Sequence, residues 1–129
     1  MSKVIRQSVV IKASPHDVYE ALMDARKQAK ISGASTKIDR KVGGKFTIMG
    51  GALSGFTLEL IANKKIVQAW RDNDWPKGHY SLATFTLSPV RGATKLDFEQ
   101  YGVPDKDYRD ISQGWKQYYW KPMKKMLEA

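Results

Sequence analysis

Residues 105–127 read DKDYRDISQGWKQYYWKPMKKML. Ile111, Trp115, Tyr118, Tyr119, Met123, Met126 and Leu127 recur there at helical spacing and make one apolar stripe. Lys116, Gln117, Lys121, Lys124 and Lys125 fall largely off it. Asp105 is the expected N-cap. Gly114 and Pro122 are imperfections, and Pro122 should bend the helix or remove a hydrogen bond near Tyr118. A long helix with so broad an aromatic and methionine face needs an equally broad apolar surface to lie on.

The stretch before it supplies that surface. From residue 36 to residue 101, short alternating runs are separated by turn residues, with Gly43-Gly44 between Thr36–Lys41 and Lys45–Met49, then Gly50-Gly51, Asn63-Lys64 and Pro89 to Gly92. Phe56, Leu58 and Leu60 alternate with Thr57, Glu59 and Ile61. Residues 65–72 end in Trp70-Arg71-Asp72, residues 73–78 form a loop, residues 79–88 read as a strand, and residues 93–101 put Leu96 and Phe98 on one face. Six such segments suggest an antiparallel meander. Upstream, Ile5, Val9 and Ile11 share a strand face. Ser14 (N-cap), Pro15 (first helical position) and Asp17 then open a helix carrying Val18, Leu22 and Ala25, which ends before Gly33. The expectation is one α+β domain over residues 1–129, a curved antiparallel sheet with its apolar face covered by the last helix.

Composition narrows the function classes. The chain has no cysteine, which excludes disulfides, thiolate metal sites and thiol nucleophiles. The start, Met1-Ser2-Lys3-Val4-Ile5-Arg6-Gln7, has no apolar run long enough for a signal peptide, and no window approaches the roughly 20 apolar residues of a membrane span. A cytoplasmic location is expected. The net charge of +9 favours anionic partners or serves solubility alone. No compact basic run, nucleic-acid module or aromatic-basic platform stands out, so nucleic acid is not an expected partner.

Candidate sites are few. His16 and His79 are isolated, and zinc needs three or four converging ligands, so neither a metal nor a cofactor is expected. His79 is a polar anchor at a cavity mouth, an acid-base residue near neutral pH, or a surface or half-buried structural histidine. Asp72-Asn73-Asp74 lacks the glycine and distal glutamate of a calcium loop. Glu59, Asp97 and Glu99 fall on the expected solvent face, and the paired glycines do not make a phosphate loop. The aromatic set is core or the lining of a ligand cavity between sheet and helix. Its candidates are Phe56, Trp70, Trp75, His79, Trp115, Tyr118, Tyr119 and Met123. Trp75, beside Pro76 in a loop, is the least core-like and suits an exposed anchor for a partner. Lys116, Lys121, Lys124 and Lys125 are the candidates for a basic face that meets an acidic partner.

Several segments together are distinctive. They are Ala13-Ser14-Pro15 with Val18-Tyr19 and Ala21-Leu22; Gly43-Gly44-Lys45-Phe46 with Gly50-Gly51 and Ser54-Gly55; Ile66-Val67-Gln68 with Trp70-Arg71; Trp75-Pro76-Lys77-Gly78-His79-Tyr80; and Gly102-Val103-Pro104 with Gly114-Trp115 and Tyr118-Tyr119-Trp120. In order and spacing the chain resembles the activator of heat-shock protein 90 ATPase family, within the START-like (SRPBCC) superfamily. That resemblance implies a helix-grip fold, six or seven antiparallel strands wrapped around the C-terminal helix. It also implies correspondence to the C-terminal domain of larger co-chaperones, whose separate N-terminal domain none of these residues resembles. The function expected from it is a non-catalytic co-chaperone domain for a heat-shock protein 90-type chaperone. The alternative is binding or transport of an apolar, lipid-like small molecule in the cavity. A cavity-based cyclase or hydrolase is the weakest reading, for no catalytic constellation is present.

Overall fold

The structure is a computed structural model that describes residues 3–129. Met1 and Ser2, the start of the segment read for an export signal, lie outside the described residues. Strand β1 (Val4–Ile11) is followed by helices α1 (Pro15–Met23) and α2 (Ala25–Ser32). Strands β2 (Lys37–Ile38), β3 (Lys45–Ile48), β4 (Leu53–Ile61), β5 (Lys65–Asp72), β6 (Ser81–Val90) and β7 (Ala93–Tyr101) come next. The chain ends in α3 (Tyr108–Trp115), a π-helical turn (Lys116–Trp120) and α4 (Lys121–Leu127). The seven strands form one antiparallel sheet in the order β1-β7-β6-β5-β4-β3-β2. β1 therefore joins the last strand rather than its sequence neighbour, and the sheet curves around the C-terminal helical segment in the expected helix-grip arrangement.

Three local details depart from the periodicity. The helix expected to run from Pro15 to before Gly33 breaks at Asp24. Its extended backbone and its carboxylate, which accepts from Lys27 N at 3.0 Å, end α1 and cap α2. In β4 the register slips between Thr57 and Glu59. Before this bulge Leu53, Gly55 and Thr57 face inward; after it Leu60 does, so Phe56 and Leu58 do not share its face and Leu58 is 43% exposed. Gly55 has no room for a side chain, since a Cβ would fall 2.8 Å from the Phe46 ring and closer still to the Ala69 carbonyl.

The third departure sets the C-terminal helix. Pro122 offers no N–H to the Tyr118 carbonyl, and Lys121 N–H bonds back to Lys116 O, five residues earlier. Helical backbone angles continue through Trp120 and Lys121. The side chains are rephased instead. Positions five apart on an α-helix point about 140° apart, yet Trp115 and Trp120 stack with ring centroids 5.5 Å apart and planes at 21°. Tyr119 and Trp120 turn inward, and Tyr118, expected on the stripe, is 49% exposed.

Both inward indoles are met by glutamines. Trp115 Nε1 donates to Gln100 Oε1 at 2.7 Å, Gln100 Nε2 donates to Ser81 Oγ at 2.9 Å, and Ser81 Oγ donates to Trp70 O at 2.8 Å. Trp120 Nε1 donates to Gln7 Oε1 at 2.6 Å, while Gln7 Nε2 donates to Ser112 O at 2.7 Å. Gln7 and Gln100 sit at inward strand positions, in phase with Ile5 and Val9 and with Leu96 and Phe98. The free edge of β1 is capped from the same helical segment. Tyr108 Oη donates to Val4 O at 3.4 Å, Lys124 Nζ to Val10 O at 2.9 Å, and Lys12 N donates to Glu128 Oε2 at 2.9 Å.

Replacing Gln100 by Leu is expected to cost about 1–3 kcal/mol, because the buried Trp115 N–H loses its acceptor. Urea denaturation measures this; an unchanged midpoint would show that the Trp115–Gln100 contact does not tie helix to sheet.

Candidate functional site

One concavity has the character of a ligand site. It is a half-open, largely apolar groove of about 250 Å³ between the β3–β4 connection, the end of β5 and the inner face of α3 and the π-turn. Trp70, Trp115, Tyr118 and Tyr119 of the expected set line it, together with Met49, Leu53, Ile111 and two carboxylates, Asp72 and Asp110. Two roomier concavities, of about 520 and 560 Å³, are charged surface. One crosses the outer face of the sheet between Arg6 and Lys65, and the other follows the outer side of α3.

The groove owes its shape to local backbone. Met49 has φ 55°, in the left-handed region, a conformation that costs a non-glycine residue roughly 1–2 kcal/mol. The bond from Gly50 N–H to Ser35 O at 2.9 Å helps hold the connection there. Opposite it, Gly114 leaves the α3 wall bare, and a Cβ added there would meet only Tyr118 Cδ2, at 3.8 Å.

Two polar atoms beneath the floor have no partner. Trp70 Nε1 and Tyr119 Oη are buried, and neither makes a hydrogen bond. Burial pushes the Tyr119 phenol well above the ordinary tyrosine value; the nearby Trp70 N–H opposes this weakly, without reaching hydrogen-bond geometry. Tyr119 is therefore a neutral phenol with an unused proton.

The other candidates lie elsewhere. Phe56 is on the outer sheet face, edge-on to Tyr80 at 5.5 Å. Met123 is fully buried in the core. His79 is half-buried; its Nε2 lies 2.8 Å from Gly102 O, and because a carbonyl only accepts, that nitrogen carries the proton. It pins the loop to the end of β7. The exposed anchor expected at Trp75 is not found. The loop folds back, and Trp75 is 5% exposed, edge-on to Trp70 at 5.6 Å and to His79 at 5.4 Å, with Arg71 Nη2 donating to its carbonyl at 2.7 Å. Of the basic face, Lys116, Lys121 and Lys125 are exposed, whereas Lys124 is engaged with Val10 O and, at 3.6 Å, with Glu128. The Lys12 backbone N–H, and then Lys124, hold the Glu128 carboxyl below its usual range.

The sequence reading missed Met49, Leu53, Asp72, Asp110 and Ile111 as lining. Only Ile111, on the helical stripe, carried a periodic signal; the others depend on how the β3–β4 connection meets α3. Among the described residues no cluster of histidine or acidic side chains could hold a metal ion, and no helix is long and apolar enough to cross a membrane.

Comparison with known proteins places these features in context. Residues 12–128 match the family described as activator of Hsp90 ATPase homolog 1-like protein. The activator of 90 kDa heat shock protein ATPase homolog 1 of Homo sapiens is 32% identical over 111 residues, covering 86% of this chain and 33% of the human protein. The Dictyostelium discoideum activator homolog is 29% identical over 116 residues, 89% of this chain and 30% of that protein. The chain thus spans about a third of the curated relatives it matches. Among solved structures, an HSP90 activator from Plasmodium falciparum superposes with a TM-score of 0.91 at 26% identity, covering 97% of this chain and 96% of that one. A protein of the dynemicin biosynthetic locus shares the fold alone, with a TM-score of 0.82 at 18% identity over 98% of this chain and 47% of that one.

Tyr119→Phe removes an unpartnered buried hydroxyl, so stability should be unchanged or higher by up to about 1 kcal/mol. The folded chain holds this proton above the ordinary value near 10, so the unfolded chain loses it first and stability falls as pH rises past about 10. Tyr119→Phe should remove that part of the alkaline loss. Denaturation curves from pH 8 to pH 11, in roughly half-unit steps, check both effects; a variant much less stable at neutral pH would mean that the hydroxyl has a partner.

Proposed function

Because this chain belongs to the activator of Hsp90 ATPase homolog 1-like family, we propose that it is a non-catalytic regulatory domain that docks on a heat-shock protein 90-type chaperone and stimulates its ATPase. The observation that carries this is the likeness to the Plasmodium falciparum activator, which leaves almost nothing of either chain unmatched. Residues 1–129 act as one unit in the cytoplasm in this reading. Its contact is the exposed row Lys116, Lys121 and Lys125, on a chain of net charge +9 that draws it to an acidic chaperone surface. Nothing in the groove supplies a nucleophile–base pair, so regulation by contact is favoured over turnover.

A second reading has its own support. The groove of about 250 Å³ with two unpartnered polar atoms below its floor suits a small ligand between sheet and helix.

The chaperone reading is tested with a purified heat-shock protein 90, measuring both association and ATPase rate. Replacing Lys116, Lys121 and Lys125 together by Glu should weaken association by about tenfold or more at low salt, with a smaller difference at high salt. If the wild-type chain neither binds nor changes the ATPase rate, the co-chaperone reading is wrong. Full affinity in the triple variant would instead move the contact to another face.

A further inference from the structure

Building on the small-molecule reading, we propose that the groove binds a small organic cation, an amine on an aromatic or apolar body with a polar oxygen at its far end. The space, about 250 Å³, lies below the roughly 300–1,000 Å³ of sites for drug-sized molecules, so the occupant is compact. The walls are apolar and aromatic, and ring faces such as that of Tyr118 attract an ammonium group.

The mouth is acidic on an otherwise basic chain. Asp72 and Asp110 stand at the rim, and neither belongs to an ion pair among the described residues. Each has a local task. Asp72 Oδ1 accepts from Asp74 N at 2.8 Å, and Asp110 lies in the first turn of α3, where negative charge is favoured. Those tasks leave most of the acceptor capacity of two carboxylates free. The field of the whole chain, at +9, draws anions, so a preference for a cation here has to come from these two groups.

The floor supplies the other end. The Trp70 N–H and the Tyr119 O–H are buried donors with no acceptor, which native interiors rarely tolerate. A ligand oxygen pushed between the groove walls would accept from them, while the ammonium remains at the rim with Asp72 and Asp110.

Calorimetric titration with three matched probes tests this: tyramine, phenethylamine without the hydroxyl, and para-hydroxyphenylpropionate with the charge reversed. Tyramine should bind about tenfold more tightly than the propionate, with phenethylamine between them. Asp72→Asn with Asp110→Asn should level tyramine and propionate, and Gly114→Leu should abolish binding of all three while far-ultraviolet circular dichroism stays unchanged. The inference is overturned if the propionate binds as well as tyramine, or if tyramine keeps its advantage in the double Asn variant. Equal affinity of phenethylamine and tyramine removes the floor contact. Binding without charge preference sinks this inference alone; binding by none of the probes sinks the small-molecule reading with it. The chaperone assay is separate, because these variants keep Lys116, Lys121 and Lys125.

Discussion

Two indole N–H groups of the C-terminal helical segment find their acceptors on the sheet, and that pairing orders much of the molecule. Trp115 is 2% exposed and uses Gln100; Trp120 uses Gln7. One glutamine is on β7 and the other on β1, paired in the sheet through Gln7↔Phe98 and Ile5↔Gln100. The helical segment can satisfy both only at one rotation and one depth over that strand pair. An unpaired buried donor costs about 1–3 kcal/mol, so the two contacts help specify the docking where apolar packing alone tolerates sliding. Phe98 sits between them, 4.3 Å from Trp115 and 5.4 Å from Trp120 by ring centroids.

The π-turn is what makes two such contacts compatible. In a regular α-helix Trp115 and Trp120 would diverge, and one glutamine would be left without its indole. Pro122 withdraws the N–H that would bond to the Tyr118 carbonyl, and the neighbouring Lys121 N–H bonds five residues back, to Lys116 O. A residue that looks like a flaw in the helix therefore coincides with the rephasing that brings both tryptophans onto the sheet. Tyr118 is displaced outward by the same shift.

This is also where the sequence was hard to read. The strands, the glycine turns and the covering helix follow from periods of 2 and 3.6, and the resemblance placed β1 in the helix-grip sheet. A projection at 3.6 residues per turn puts Tyr118 on the stripe and passes over Trp120, because it carries no term for a π-turn. The bulge at Thr57–Glu59 hid in the same way. Phe56, Leu58 and Leu60 alternate cleanly on paper, and one extra residue moves the first two off the face of the third. The inward glutamines were legible in principle, as polar residues in phase with apolar ones. Of the site, Trp70, Trp115, Tyr118 and Tyr119 were legible as an aromatic set near one helix. Asp72 and Asp110 were not, since they are brought to one rim by contacts distant in sequence.

The aromatic packing also limits what the fold can hold. Phe85, Phe98, Trp115 and Trp120 fill the space between sheet and helix with rings in contact, and Met123 closes it further along. Room survives at the end of α3, where Gly114 has no side chain, Met49 is held in a left-handed turn and Tyr118 is half-exposed. At about 250 Å³ the groove is smaller than the roughly 300–1,000 Å³ of sites for drug-sized molecules. The five-residue turn that begins at Lys116 and abuts Lys121 brings Tyr118 and Tyr119 to the groove, so part of the groove wall and the start of the basic row share one segment, while the rim carboxylates Asp72 and Asp110 come from β5 and α3. In the functions proposed for this chain, chaperone contact and ligand groove therefore meet at one turn, whose flanking indoles are bonded to Gln100 and Gln7.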